Sequence, residues 1–408
     1  MKTLLQINTT LNYGSTGRIA EEIGLLARQK GWNCYMAHGP RMKNESRLQT
    51  IQVNSSLDEK IHGGWYSLLR DRHGLGSRHA TKRLVERLRS EIKPDIIHLH
   101  NIHGYYLNYE VLFDYLRKED IPVVWTLHDC WPFTGHCTHF DFIGCDKWKT
   151  QCHHCPQTAA YPKSLFVDNS FSNYRLKSRL FSSVADNLTF IPVSAWLAEL
   201  LQNSFLKGCR TKVIHNGIDL NIFRPCDVRN LVVHPGLNDR KVILGVASPW
   251  TDRKGLKDFI RLRGMLPMSE YVCVVVGVSE KQAAELPDGM IGIRRTQNIQ
   301  ELVAWYAAAD VFVNPTYEDN YPTTNLEAMA CGTPVITYRT GGSPEALTAR
   351  TGRVVGQGRL NDVVDAVHSL VAEDRDNLSS ECRAHAERCF DREKCFQSYV
   401  GLYQELVK

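Results

Sequence analysis

The sequence predicts an α/β protein with two doubly wound domains. Apolar runs of strand length alternate with helix-like segments along most of the chain, which is the βαβ pattern of a parallel sheet. A length of 408 residues is too long for one hydrophobic core and indicates two domains of roughly 200 residues each. A polar stretch with proline and glycine interrupts the alternation at 223–240. We therefore expect a first domain at 1–222, a linker at 223–240, a second domain at 241–385 and a C-terminal helical segment at 386–408.

The first series of alternating segments supplies the first domain. Its predicted strands are Leu4–Asn8, Ile96–Leu99, Val123–Leu127, Thr189–Val193 and Val213–His215. Its predicted helices are Ile19–Gln29, Glu110–Arg117 and Ala195–Gln202. This order of strands and helices is typical of a doubly wound sheet.

The second series begins at Val242–Val246 and ends in an amphipathic helix. Further strands are predicted at Val272–Val276, Val311–Val313 and Val335–Tyr338, and a short helix at Leu326–Ala330 stops before Gly332 and Pro334. The last segment, Arg392–Val407, carries apolar side chains at helical spacing. They are Phe396, Tyr399, Val400, Tyr403 and Leu406.

Composition excludes several classes of protein. The hydrophobic share of 43% is ordinary for a globular chain, and no apolar run approaches the roughly 20 residues that a membrane span needs. No signal peptide is visible, so we expect a cytoplasmic protein whose thirteen cysteines are reduced thiols or metal ligands rather than disulfides. The net charge of +5 is too small to indicate a nucleic-acid partner.

A polar loop follows the predicted strand Val311–Val313 and holds three candidate ligand-binding side chains, Glu318, Asp319 and Asn320. The next predicted strand ends at the turn 341–345, Gly-Gly-Ser-Pro-Glu, which glycines make easily. Open α/β sheets bind ligands at the carboxyl ends of their strands. We therefore expect the loop and the turn to meet at such an edge.

Glu327 lies inside the short helix and has apolar neighbours on either side. A carboxylate in such surroundings costs free energy unless a partner pairs with it. Two ribose hydroxyls can supply two charge-assisted hydrogen bonds. The position therefore indicates a ribose-binding carboxylate.

The run 314–345 resembles the signature of retaining GT-B glycosyltransferases of family four, in which an acidic residue and seven further residues precede Glu-Ala-Met-Ala-Cys-Gly-Thr-Pro-Val. Five other motifs occur earlier in the chain, in the family's order: Gly14–Arg18, His98–Asn101, Thr126–Asp129, Val213–Asp219 and Asp252–Gly255. The stretch His128–Cys137 is most similar to bacterial exopolysaccharide and colanic-acid-type transferases. The resemblance implies a GT-B fold, with two Rossmann-like domains, an interdomain cleft and a C-terminal helix that crosses back to the first domain.

The resemblance also assigns roles to residues. It implies that Glu327 binds the ribose of a nucleotide-sugar, Lys254 its diphosphate and Asp319 its sugar hydroxyls. His128 is expected to contact the donor sugar or its phosphate, so the candidate catalytic residues are His128, Asp319 and Glu327. The further donor-binding candidates are Gly14, Gly17, Arg253, Glu318, Asn320, Thr324 and Asn325.

Two of these assignments have alternatives. The family usually has an arginine about five residues before the lysine, whereas this chain has Ser-Pro-Trp at 248–250. Lys254 is therefore the firmer phosphate ligand, and Arg253 is the weaker one. The first acidic position is usually a glutamate; spacing favours Asp319, and the adjacent Glu318 is the alternative.

The first domain offers fewer diagnostic positions. The turn Gly14–Gly17 lies between a strand and a helix, where backbone N–H groups favour a diphosphate, although it fits an acceptor or a purely structural role as well. Asn101, His103 and Asp129 are acceptor-side candidates, and Asp129 is also expected to orient His128. Strand alternation puts His98 and His100, but not His103, on one face.

Four cysteines, Cys137, Cys145, Cys152 and Cys155, form a thiol set suitable for zinc, and Cys152–Cys155 is a C-x-x-C knuckle. Unliganded thiols are the alternative. A metal would explain how this long irregular segment stays ordered. Since four thiolates leave no open coordination position, the zinc would be structural, and we expect no catalytic metal.

A basic and aromatic segment spans 65–93. It carries Arg70, Arg72, Arg78, Lys82, Arg83, Arg87, Arg89 and Lys93 beside Trp65, Tyr66 and Leu68. Such a segment favours contact with an anionic membrane surface that presents a lipid-linked acceptor, and a solvated helix face is the alternative. No nucleic-acid-binding module accompanies it.

The sequence therefore predicts a cytoplasmic glycosyltransferase, peripheral to the inner face of the plasma membrane, that acts in surface-glycan synthesis. The donor would be a UDP- or GDP-sugar and the acceptor a saccharide or a lipid-linked saccharide, with retention of configuration by same-face departure and attack. Two other hypotheses are a sugar-nucleotide epimerase of the same architecture and a non-catalytic, zinc-stabilised docking protein.

Overall fold

The computed structural model describes residues 1–226, 237 and 240–407. It contains two compact units. The first comprises Met1–His215 together with the C-terminal stretch from Phe396, and the second comprises Asn216–Cys395. Most of the predicted linker, 223–240, lies outside the described residues.

The first unit is built on a seven-stranded parallel sheet in the order β3-β2-β1-β4-β5-β6-β7. The strands are β1 (Thr3–Asn8), β2 (Asn33–His38), β3 (Gln49–Gln52), β4 (Ile96–Leu99), β5 (Val123–Leu127), β6 (Leu188–Pro192) and β7 (Arg210–Thr211). Its α-helices are α1 (Gly14–Gln29), α2 (Ser56–Ile61), α3 (Arg78–Arg87), α4 (Tyr109–Glu119), α5 (Ser170–Ser182) and α6 (Ala195–Gln202). The strand order reverses between β1 and β4, so the loops after these two strands diverge there and leave room for a ligand.

The second unit repeats the design with a six-stranded parallel sheet in the order β10-β9-β8-β11-β12-β13. The strands are β8 (Lys241–Val246), β9 (Tyr271–Val276), β10 (Met290–Ile293), β11 (Val311–Asn314), β12 (Val335–Tyr338) and β13 (Gly352–Val355). Its α-helices are α7 (Leu256–Met265), α8 (Glu280–Ala284), α9 (Ile299–Ala308), α10 (Thr323–Ala330), α11 (Leu360–Val371) and α12 (Arg375–Cys389). The last helix, α13 (Arg392–Leu406), begins in this unit and belongs to the first unit from Phe396 onward. Here the order reverses between β8 and β11, which is the second position where a ligand is expected.

Each unit has its own hydrophobic core. In the first, Trp125 of β5 packs with its ring centroid 5.7 Å from that of Phe113 and 5.0 Å from that of Phe181. In the second, Ile243 and Phe259 are fully buried. Burying one such side chain stabilises the fold by about 1.5–3 kcal/mol. Two parallel sheets with separate cores confirm the predicted fold class.

The C-terminal helix α13 buries four of the five apolar side chains that its spacing predicts, whereas Leu406 is partly exposed. Phe396, Tyr399, Val400 and Tyr403 are at most 3% exposed. The Tyr403 ring lies 5.8 Å from that of Trp32, between centroids, in the first unit. Among the described residues, no helix is both long and apolar enough to cross a membrane.

Two local predictions differ from the structure. Val213–His215 forms no strand, because the sheet already ends with β7 at Arg210–Thr211 and Val213 is exposed. Helix α1 begins at Gly14 rather than Ile19, so Gly14–Gly17 forms its first turn. A side chain at Gly17 would collide with Thr10, which explains the small residue inside the helix.

Candidate functional site

Three loops converge at the carboxyl edge of the second sheet, where the strand order reverses. The Tyr317 amide, after β11, donates to the Arg253 carbonyl, after β8, at 2.7 Å. The Gly342 amide, after β12, donates to the Asn320 carbonyl at 2.9 Å. The predicted meeting of the acidic loop and the glycine turn is therefore confirmed.

Gly255 makes the first of these loops possible. Its φ angle is +79°, a conformation that glycine adopts with little strain. A side chain there would also collide with the carbonyl oxygen of Pro315. The backbone thus passes close to the β11 loop, immediately after Lys254.

Lys254 and Asp319 form an ion pair. The Lys254 Nζ lies 2.5 Å from Asp319 Oδ2, and both side chains are partly exposed, at 26% and 20%. The neighbouring pair is looser, with 3.6 Å between Arg253 Nη1 and Glu318 Oε2. Arg253 is 44% exposed, whereas the Glu318 side chain is 5% exposed. Asp319 is therefore the more accessible of the two acidic candidates.

Glu327 has a buried tyrosine as its hydrogen-bond partner. The Tyr306 hydroxyl donates to Glu327 Oε2 at 2.9 Å. Burial, followed by the nearby Glu327 charge, raises the pKa of Tyr306 well above its usual value, so this hydroxyl stays a donor. Sequence reasoning missed Tyr306, which lies 21 residues away on α9 and has no motif of its own.

Two buried polar groups at this edge have no hydrogen-bond partner among the described residues: Asn325 Nδ2 and Ser343 Oγ. The side-chain oxygen of Asn325 accepts a hydrogen bond from Asn314 at 2.8 Å, so only the side-chain nitrogen of Asn325 lacks a partner among the described residues. Such groups cost about 1–3 kcal/mol each when nothing satisfies them. A polar ligand at this edge would explain them. Of the other donor-side candidates, Asn320 is buried and Thr324 is partly exposed.

His128 follows β5 at the carboxyl edge of the first sheet. Its Nε2 lies 3.2 Å from Nδ1 of His100, and the ring is partly exposed. Burial lowers the pKa of His128 to about 4, so the ring is neutral at physiological pH. His98 and His100 have ring centroids 4.0 Å apart, which confirms that they share a face.

Asp129 was predicted to orient His128, but in the structure it contacts other residues. Its Oδ2 lies 2.8 Å from His103 Nε2, and its Oδ1 accepts from the Trp131 amide at 2.9 Å. Burial would raise the pKa of Asp129, but His103, together with His139 and the Trp131 amide, outweighs that effect and lowers the pKa to about 2. The partner of His128 is His100, because the turn after β5 points the carboxylate away toward the β4 loop.

The other first-domain candidates lie near the same edge. Gly14 and Gly17 are in the first turn of α1, where no side chain caps the helix. The Asn101 amide donates to Asn8 Oδ1 at 3.2 Å, and its carbonyl accepts from Tyr106 at 3.0 Å. His103 Nδ1 lies 3.3 Å from the Tyr161 hydroxyl.

The segment between β5 and α5 contains only two short 3₁₀ turns, Trp131–Phe133 and Lys147–Lys149. Aromatic packing orders part of it, since the Phe140 and Trp148 rings stack at 4.8 Å. Lys177 of α5 orders another part: its buried Nζ donates to the Trp131 carbonyl at 2.7 Å and the Thr134 carbonyl at 3.0 Å.

The four predicted zinc ligands lie in this segment, but no three of their sulfur atoms come within 4.8 Å of one another, so the structure does not assemble the predicted ligand set. Cys137 and Cys155 are in hydrogen-bond contact, which raises the pKa of Cys137 well above its usual value and lowers that of Cys155 to about 7. Burial raises the pKa of Cys152 to about 11, and Cys155 and Cys145 add to the increase. All thirteen cysteines are free thiols, and all lie among the described residues.

A second group with metal-type ligands comprises Asp71, His73 and His136, and hydrogen bonds account for only part of it, because His73 Nδ1 and His136 Nε2 have no hydrogen-bond partner among the described residues. Its ligand atoms lie within 4.8 Å of one another, with His136 Nδ1 2.5 Å from Asp71 Oδ1. The Trp131 indole donates to His73 Nε2, so the proton of a neutral His73 is on Nδ1, the atom that faces Asp71. A protonated nitrogen cannot ligate a metal, and sequence reasoning had not singled out this network.

Several cations of the basic segment 65–93 are already paired. Arg78 contacts Glu110 at 2.9 Å, and Arg89 contacts Glu119 at 2.8 Å. The Arg70 guanidinium lies 4.4 Å from the centre of the Trp65 ring. Trp65 is half exposed, and Phe166, in a loop hydrogen-bonded to Leu68, is 81% exposed.

Comparison with known proteins identifies the family of this chain. The family model "Glycosyl transferases group 1" matches residues 240–373, and "Glycosyltransferase Family 4" matches residues 40–222. Together they match more than half of the chain. A colanic acid biosynthesis glycosyl transferase, WcaC of Escherichia coli strain K12, is 23% identical over 418 residues, covering 99% of this chain and 100% of that protein.

Solved structures share the fold. Sucrose-phosphate synthase from Thermosynechococcus elongatus aligns with a TM-score of 0.72 and 19% identity, covering 100% of this chain and 99% of that one. Anabaena Alr3699/HepE in complex with UDP-glucose aligns with a TM-score of 0.66 and 16% identity, covering 99% of this chain and 100% of that one. At these identities the likeness establishes the fold.

Proposed function

Because the chain belongs to the glycosyltransferases of the GT-B type, we propose that it transfers a sugar from a nucleotide-sugar donor to a saccharide or lipid-linked acceptor, with retention of configuration. The related WcaC is described as acting in colanic acid biosynthesis, which supports a surface polysaccharide as the product. The neighbour Alr3699/HepE was solved with UDP-glucose, which supports a UDP-sugar over a GDP-sugar as the first donor to test.

The observation that carries the proposal is the convergence of Lys254 with Asp319 on the edge where β8 and β11 diverge. A cation at this edge can stabilise the charge that develops on a leaving diphosphate. Glu327, held by Tyr306, offers a carboxylate to ribose hydroxyls. Asn325 and Ser343 would satisfy their unpartnered groups on the same ligand.

Roles follow from this arrangement. Lys254 neutralises the diphosphate, Asp319 accepts from sugar hydroxyls, and Glu327 accepts from the ribose. By family resemblance, His128 contacts the transferring sugar. Because no side chain is assigned as a covalent nucleophile, we propose that the leaving phosphate itself assists the acceptor hydroxyl on the same face of the sugar.

A structural zinc held by Cys137, Cys145, Cys152 and Cys155 completes the proposal. The contact of Cys137 with Cys155 supports a thiolate site, and binding of zinc would have to draw Cys145 and Cys152 toward this pair. A bound zinc would cross-link the irregular segment after His128. It has no part in the transfer chemistry.

A donor screen tests the function. Purified protein is heated with UDP, GDP and their sugars; a nucleotide-sugar at 100 times its Kd should stabilise the fold by about 2.7 kcal/mol. Incubating the bound donor without acceptor then separates a transferase from an epimerase, since an epimerase converts the donor alone. Absence of stabilisation by every nucleotide would contradict the proposal and support the docking-protein alternative.

A further inference from the structure

The orientation of one buried amide is fixed by its neighbour. Gln6 of β1 is fully buried, and its side-chain amide contacts the Ala20 carbonyl oxygen at 2.8 Å. A carbonyl oxygen can only accept a hydrogen bond, so the group that faces it must be the NH₂ of Gln6. The amide oxygen of Gln6 therefore faces the other way, toward Nε2 of His100 at 3.0 Å.

This oxygen determines where His100 carries its proton. Burial lowers the pKa of His100 well below its ordinary value, so the ring is neutral and has a single N–H. Because the Gln6 oxygen is an acceptor, the proton is on Nε2 of His100. Its Nδ1 is left with a lone pair and must accept from its partner, Nε2 of His128, at 3.2 Å.

We propose that Gln6 and His100 are positioning residues that hold His128 with its proton on Nε2, so that Nδ1 of His128 accepts a hydrogen bond from a hydroxyl of the bound sugar. Of this proposal, the sugar contact rests on the proposed function, whereas the tautomer rests on the hydrogen bonds alone. The His128 ring is neutral and partly exposed, so its second nitrogen carries a lone pair and no proton.

The tautomer selects between two ligand groups. A phosphate oxygen is an acceptor and would meet the lone pair of Nδ1 unfavourably. A sugar hydroxyl is a donor and matches it. The series of hydrogen bonds that begins at the Ala20 carbonyl of helix α1 and passes through Gln6 and His100 thus sets which ligand group Nδ1 of His128 prefers, namely a sugar hydroxyl.

The tautomer is measured directly by ¹⁵N NMR of histidine-labelled protein without ligand, with His128→Gln identifying the signal. In the wild type, Nε2 of His128 should be protonated and Nδ1 unprotonated. Gln6→Met removes the acceptor and should give a mixture of His128 tautomers. A wild-type protein with the proton on Nδ1 would overturn the proposal, whether or not the variants fold.

Ligand titration tests the sugar contact separately. A nucleotide-sugar should move the Nδ1 signal of His128, and the nucleoside diphosphate alone should not. Gln6→Met should lower transfer about tenfold, the size of one hydrogen bond, with unchanged binding of the diphosphate. Donor binding that leaves Nδ1 unmoved overturns the sugar contact. Failure of every donor to bind instead overturns the proposed function, and the tautomer in the free protein still decides the relay.

Discussion

At the scale of single residues, the ion pair between Lys254 and Asp319 defines the candidate site. The two side chains lie 2.5 Å apart and are partly exposed, so they satisfy each other in the absence of a ligand. A bound nucleotide-sugar would exchange this pair for a lysine–phosphate contact and a carboxylate–hydroxyl contact. Each partner therefore has a separable role.

Lys254→Ala should weaken the binding of both the nucleoside diphosphate and the complete donor, because the two share the diphosphate. Asp319→Asn should leave diphosphate binding nearly unchanged and lower transfer, because the sugar ring loses its position. Calorimetry with the diphosphate and a transfer assay measure the two effects. Lys257→Ala is the matched control, since Lys257 is an exposed lysine paired with the exposed Asp252 at 2.9 Å.

Equal losses of diphosphate binding in Lys254→Ala and Lys257→Ala would point to a general loss of positive charge. Equal losses in Lys254→Ala and Asp319→Asn would point to collapse of the loop. Either result would contradict the separate roles.

The sequence predicted Lys254, Asp319 and Glu327 because each lies in a local motif. It could not predict Tyr306 or Gln6, because their contacts join different elements: α9 contacts α10, and β1 contacts the loop after β4. It also gave His128 the wrong partner, since chain adjacency suggested Asp129 and the pairing of β4 with β5 brings His100 instead.

At the scale of elements, an aromatic cluster and Lys177 order the cysteine segment between β5 and α5, and a zinc ion is the proposed third contribution. If zinc is bound, purified protein should carry about one equivalent, and Cys152→Ser should lose the metal and lower the melting temperature. Elemental analysis and calorimetry measure both. Cys389→Ser, at an exposed cysteine of α12, is the control.

A wild-type protein without metal, or a Cys152→Ser variant that keeps its zinc, would contradict the zinc proposal. The aromatic cluster and Lys177 would then account for the order of the segment by themselves.

The basic segment 65–93 is a weaker membrane candidate in the structure than in the sequence, because Arg78 and Arg89 are paired with glutamates. The exposed Trp65 and Phe166 still offer apolar contact beside Arg70. We expect binding to vesicles with anionic headgroups that weakens as salt screens the charges, and a further loss in Trp65→Ala. Co-sedimentation with anionic and with neutral vesicles measures the fraction of protein bound. Equal binding to both, or none, would favour the solvated-face alternative.

Most strands were predictable because buried parallel strands are continuous apolar runs; Ile96–Leu99 and Val123–Leu127 match β4 and β5 at both ends. Val213–His215 shows the limit of that signal. An apolar run forms a strand only when an edge is available for pairing, and composition does not reveal which edge is taken.

At the scale of the whole molecule, buried histidines make the first unit sensitive to acid. Burial lowers the pKa of His62 and His73 to about 3 and that of His128 to about 4, and lowers those of His98 and His100 well below the ordinary value. All five lie in the first unit.

The direction of the effect follows from proton counting. Between about pH 6.5 and pH 4, the unfolded chain protonates these histidines and the folded chain does not, so stability falls as pH falls. Asp71 and Asp129, with pKa values of about 2, remain charged in that window and lose their contribution only at lower pH. We expect the first unit to lose on the order of a few kcal/mol between neutral pH and about pH 5.

Hydrogen exchange at the two pH values, corrected for intrinsic rates, measures the loss. Amides of β4 and β5 should lose protection at about pH 5 before those of β8 and β9, which serve as the control within one molecule. Protection that falls first in the second unit would contradict this account.

The central claim is that the edge bearing Glu327 binds the nucleotide of a sugar donor, and calorimetric titration of UDP and GDP tests it most directly. Glu327→Gln keeps the shape and removes the charge, so the affinity of the bound nucleotide should fall by roughly 1.5–3 kcal/mol, about tenfold to over a hundredfold. Glu280→Gln, at an exposed glutamate of α8, should bind as the wild type does. Wild-type affinity in Glu327→Gln, with folding intact, would contradict the account.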